Sequence, residues 1–116
     1  MDYDVSLEGT TLVTLHAGSD TTARDDATDQ LTASLEELEA DDAIADWVVT
    51  DAEVYEHPAA PFDPYTVAVA FAVTVTVEAD DLEAAKARGE VAIDEALESA
   101  DFDAVTYTSA PYATAA

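Results

Sequence analysis

Between Tyr65 and Glu78 the chain reads Tyr-Thr-Val-Ala-Val-Ala-Phe-Ala-Val-Thr-Val-Thr-Val-Glu, a run in which large and small side chains alternate without a break. Successive side chains of a strand point to opposite sides, so this period of two predicts one long strand with two unlike faces. Val67, Val69, Phe71, Val73, Val75 and Val77 line one face, which needs a covering layer of helices to leave water. Ala68, Ala70, Ala72, Thr74 and Thr76 line the other, a surface small enough for close approach by a flat partner. The rest of the chain has to be arranged around this strand.

A similar pattern occurs earlier, at a shift of 62 residues. Tyr3, Val5, Leu7, Val13, Thr14 and Leu15 fall on Tyr65, Val67, Val69, Val75, Thr76 and Val77, while Ala23, Arg24, Leu31 and Leu35 fall on Ala85, Lys86, Ile93 and Leu97. Each half therefore reads as strand, helix, strand. In the first half the strand covers 3–16, with Gly9 a bulge or a point of close backbone approach. A helix follows from Ser19 or Asp20 to about 40–42, with Ala23, Ala27, Leu31, Leu35 and Leu38 on one stripe. Residues 44–56 form a second strand whose imperfect alternation suits a sheet edge. The proline-rich segment 57–64 is a loop.

After the long strand, Asp80-Asp-Leu-Glu83 has the form of a capping box for a second helix. Its expected buried stripe is Leu82, Ala85, Gly89, Ile93, Leu97 and Ala100. A mid-helix glycine costs about 1 kcal/mol relative to alanine, so Gly89 predicts close packing of helix on sheet. Residues 102–109 form the last strand, with Pro111 at its outer end.

The order strand-helix-strand-strand-helix-strand predicts an α+β, ferredoxin-like βαββαβ sandwich. Its four-stranded antiparallel sheet has the order 4-1-3-2, with both helices on one face. The 116 residues suit a single domain, with pseudo-repeat halves at about 3–56 and 65–112. The two central strands put their odd residues under the helices. On the uncovered face, Leu12, Ala68, Ala70, Ala72, Thr74 and Thr76 are the expected contact residues for a second copy or another protein. Two such faces meeting would resemble, in topology, the dimeric α+β barrels.

Charge narrows the partners. Twenty-seven acidic residues against Arg24, Lys86 and Arg88 give a net charge of −24, so no basic stripe exists for nucleic acid or an anionic membrane. Scarce lysine with abundant Asp, Glu, Ala and Thr resembles the cytosolic proteins of extremely halophilic archaea, which implies a high-salt cytosol or a virion from such a host. Near 1 M salt the Debye length is about 3 Å, and repulsion among the carboxylates is largely screened. No cysteine is present, which excludes thiol chemistry. The amino terminus has no signal-peptide pattern and no apolar run is long enough to span a membrane as a helix.

Candidates for chemistry are few. The topology brings His16, Asp20, His57, Asp63 and Asp103 to one end of the sheet, an oxygen and nitrogen set of the kind divalent metals accept. Neither His-x-His nor His-Glu-x-x-His spacing accompanies them, and solvated or structural histidines are the favoured reading. No glycine-rich phosphate loop or other cofactor motif occurs, and no catalytic residue is assigned. Arg24 and Lys86, near the start of each helix, suit ion pairs with neighbouring carboxylates better than anion contacts. The residues therefore favour a non-catalytic binding or assembly module that self-associates through its uncovered sheet face. The alternative is a dimeric α+β barrel enzyme or carrier that binds a metal or small molecule.

Overall fold

The computed structural model describes residues 1–60, 63–100, 102 and 105–116. Strand β1 (Asp2–Leu15) leads into helix α1 (Asp20–Ala40), then strands β2 (Asp46–Glu56) and β3 (Tyr65–Glu78), helix α2 (Leu82–Ser99), and the short strands β4 (Thr106–Tyr107) and β5 (Tyr112–Ala115). The protein is thus a mixed α+β fold with two helices and a five-stranded antiparallel sheet.

β1 and β3 pair along their whole lengths, from Asp2 with Glu78 to Leu15 with Tyr65, without a register shift. Strict alternation explains this: a slip of one residue would turn every valine of β3 away from the core. Tyr3, Val5, Leu7 and Leu15 of β1 and Val67, Val69, Phe71, Val73 and Val75 of β3 are buried. They join Ala23, Ala27, Leu31, Leu35 and Leu38 of α1 and Ala85, Ile93, Ala96 and Leu97 of α2 in one core, which puts both helices on the odd-numbered face. At roughly 1.5–3 kcal/mol per fully buried Val, Leu or Phe, this layer supplies most of the drive to fold.

The helix ends follow side-chain chemistry. Ser19 caps α1, its Oγ accepting a bond from the Thr22 amide at 3.2 Å. Asp81 caps α2 by accepting from the Ala84 amide at 2.8 Å, one residue later than a box from Asp80 to Glu83 requires. The stripe of α2 is corrected with it. Ala96 is buried, whereas Leu82 at the first turn is 43 % exposed and Ala100 only half-buried.

Both informative glycines mark close approaches. A Cβ on Gly89 would lie 2.4 Å from Val5 Cβ and Cγ1, so α2 rests directly on β1 there. Gly9 is no bulge, since pairing with Phe71 is regular. A Cβ on it would meet the Thr106 carbonyl oxygen at 3.2 Å and Phe71 Cζ at 3.3 Å.

Two strands depart from expectation. In β2 the pairing slips between Val49 and Asp51 and again between Val54 and Glu56, leaving Thr50 and Tyr55 as extra residues. The first slip inverts parity: Trp47 and Val49 face the helices before it, Ala52 and Val54 after it. The expected fourth strand over 102–109 is replaced by two short pieces, so the sheet has five strands where four in the order 4-1-3-2 were expected. Its path is β2-β3-β1-β4, and β5 shares the same edge of β1. β4 pairs with Gly9 and Thr10, β5 with Tyr3 to Ser6. Pro111 lies between the pieces and cannot donate a ladder bond. Its role is therefore an interruption within the edge.

Candidate functional site

The even-numbered face of the sheet is where sequence and fold leave the most surface without a role. Along β3 it presents Thr66, Ala68, Ala70, Ala72, Thr74 and Thr76, half-exposed except for the exposed Thr76. On β1 it carries Asp4, Ser6, Glu8, Thr10, Leu12 and Thr14, which pair with these residues in register. Short hydroxyl bonds tie the two strands across it: Ser6 Oγ to Thr74 Oγ1 at 2.7 Å, and Thr76 Oγ1 donating to Asp4 Oδ1 at 2.8 Å. The expected contact residues Leu12, Ala68, Ala70, Ala72, Thr74 and Thr76 thus share one face.

The slips in β2 decide what joins that face. Asp46, Val48, Asp51, Glu53 and Glu56 pair with Thr74, Ala72, Ala70, Ala68 and Thr66, and so lie on the even side. Val48 is 50 % exposed and Tyr112, opposite Ser6, is 68 % exposed. Tyr55, displaced by the second slip, walls a hollow of about 290 Å³ with Thr10, Leu12, Ala68 and Thr106. Sequence reasoning missed Val48, Tyr55 and Tyr112. The broken alternation of β2 was the available signal for the first two.

A polar cluster lies at the end of the sheet where β1 and β2 finish and β3 begins. His57 Nε2 is 3.0 Å from Asp20 Oδ2 at the first turn of α1, and the His57 ring meets Tyr65 edge-on with centroids 6.3 Å apart. Partial burial, then the charge and hydrogen bond of Asp20, raise the Tyr65 pKa. Asp63 borders the same cleft of about 570 Å³, together with Ala17, Gly18, His57, Pro58 and Tyr65. His16 is exposed at the end of β1 and does not line that cleft, and Asp103 lies outside the described residues. Among the described residues no three His, Asp or Glu side chains converge in a way that could hold a metal ion. The Asp20 and His57 side chains are themselves 52 % and 63 % exposed, which suits a surface hydrogen bond that pins the loop to α1.

The rare cations also have places. Lys86 Nζ lies 3.7 Å from Glu83 Oε1, as an ion pair one turn along α2. Arg88 Nη1 donates to the Glu78 carbonyl at 2.8 Å and fastens α2 to the end of β3. Arg24 is exposed and has no ion pair among the described residues. No helix is long and apolar enough to cross a membrane among the described residues. Compared with known proteins, the chain matches no family model, and no curated protein is significantly similar to it.

Proposed function

We propose that this chain is a non-catalytic assembly module of a halophilic organism, and that it self-associates through the even-numbered face of its sheet. The observation that carries this reading is the make-up of β3 on that face. In a chain of net charge −24, six consecutive even positions from Thr66 to Thr76 hold only Ala and Thr. A solvated strand in so acidic a protein has every opportunity to carry carboxylates, and both neighbouring strands do: Asp4 and Glu8 on β1, Asp51 and Glu53 on β2. Exposed Val48, Tyr55 and Tyr112 on the same side add apolar surface that leaves water when two sheets stack.

The same reading takes the fold as ferredoxin-like, with β4 and β5 together standing for the fourth strand and the halves related by the 62-residue repeat. Its setting is a cytosol of molar salt, or a cellular or viral particle assembled there, without nucleic acid or membrane as partner. Few of the 27 carboxylates sit beside a cation: the described pair is Lys86 with Glu83. Screening by salt is what makes such a surface compatible with close association. A second reading, a carrier or enzyme with a bound metal or small molecule, draws its support from the cleft beside His57, Asp20 and Tyr65.

Light scattering in molar KCl tests the assembly. The parent is expected to be a dimer and Ala70→Glu a folded monomer, because an unpaired carboxylate buried in the contact is unfavourable by several kcal/mol. Ala33→Glu, on an exposed site of α1, is expected to leave the mass unchanged. A monomeric parent, or an unchanged mass for Ala70→Glu, refutes self-association through this face. Metal retained by protein purified without nickel would favour the second reading.

A further inference from the structure

We infer that the second copy lies on the even-numbered face with its β1 over β2 and its β3 over β3, so that the two-fold axis runs along β3. This rests on the self-association proposed above and assigns its orientation. The carboxylates decide it. Reading across the sheet through β3, Asp46 shares a row with Ser6, Asp51 with Thr10, Glu53 with Leu12 and Glu56 with Thr14. In the one row shared with β2 where β1 bears the acid, Glu8, the β2 residue is Val48. No row that includes β2 has a carboxylate on both flanks of β3.

An axis along β3 sends each β2 row onto the same row of the other copy's β1. Each of these carboxylates then meets a hydroxyl or an apolar group, and none stacks on another. An axis across the strands instead places β2 over β2. Centred on Ala70 it puts Asp51 on Asp51 and Asp46 on Glu56; centred on Ala72 it puts Asp46 on Asp51 and Glu8 on Glu8. Like charges facing each other in a contact are strongly disfavoured.

Charge at Thr10 tests this, since its row places it under the second copy's Asp51. Dimer dissociation constants are measured by sedimentation at moderate salt for Thr10→Lys and Thr10→Glu. Thr21→Lys and Thr21→Glu, on an exposed site of α1, correct for the change in net charge. Relative to these controls, Thr10→Lys is expected to tighten the dimer about tenfold and Thr10→Glu to weaken it about tenfold, from two equivalent exposed-pair contacts. If both Thr10 variants weaken the dimer, or neither changes it while Ala70→Glu still breaks it, the orientation is overturned and the face contact stands. A dimer indifferent to Ala70→Glu as well, or a monomeric parent, overturns the face contact itself.

Discussion

Replacing Gly89 by alanine sets two effects of known size against each other. Alanine is the better helix former by about 1 kcal/mol, so on an exposed helix this change would stabilise the fold. Here the new methyl would sit 2.4 Å from Val5 Cβ and Cγ1 and 2.6 Å from Cγ2. Carbon atoms in contact prefer about 3.5–4.0 Å, so helix and strand must separate by more than 1 Å. Val5 is fully buried in a strand paired on both sides, and cannot turn aside. Overpacking of this kind costs roughly 1–3 kcal/mol, and the backbone-anchored Cβ of Val5 places the cost at the upper end. The net loss is about 2 kcal/mol, or roughly 8 °C in melting midpoint for a domain of this size. Denaturation followed by circular dichroism in molar KCl measures it, with Val5→Ala/Gly89→Ala expected to destabilise less than the sum of its parts. A midpoint for Gly89→Ala at or above that of the parent refutes the argument.

Other outcomes follow from the core and from charge. Phe71, 1 % exposed and in edge-to-face contact with Phe102 at 5.9 Å, is expected to lose about 3–5 kcal/mol on replacement by alanine, read from urea unfolding. With a net charge of −24, the melting midpoint is expected to rise steeply between dilute buffer and molar KCl, and a midpoint independent of salt contradicts the screening argument. Burial, then the hydrogen bond to Asp94 at 2.9 Å and the charges of Asp94 and Glu90, raise the Tyr107 pKa well above its ordinary value of 10.0. The fold favours the neutral phenol, so this stabilisation is complete below pH 10.0 and is lost as pH climbs from there toward the raised value. Tyr107→Phe is expected to flatten that part of the stability profile and to remove the latest-titrating phenol from an ultraviolet titration.

How much of this was legible in the sequence varies with the strength of the local pattern. β3 was legible because a period of two over fourteen residues admits one buried face, which a slip of one residue would expose. The stripe of α1 was equally plain, and the meeting of His57 with Asp20 follows from topology alone. β2 was not legible in the same way. Its broken alternation marks an irregular strand but does not say which residue is extra, since the partner strand decides whether Thr50 or Tyr55 bulges. The composition of 102–109 suits a strand, yet no short pattern says that Pro111 will divide an edge in two. Of the site candidates, Asp103 lies outside the described residues, and nothing in the alternation of β3 marks Tyr65 as a partner of Asp20.

The two borders of the sheet bear on how copies of this chain can accumulate. An unbroken flat border is a template on which further strands polymerise, the route to fibres. On the β2 side, the slips at Thr50 and Tyr55 interrupt the outward row of amides and carbonyls, and Asp51 and Glu53 stand beside it. On the other side, β4 and β5 are pieces of two and four residues separated by Pro111. Neither border offers a straight run for a newcomer to extend. Growth by strand addition is therefore disfavoured along both borders of the sheet.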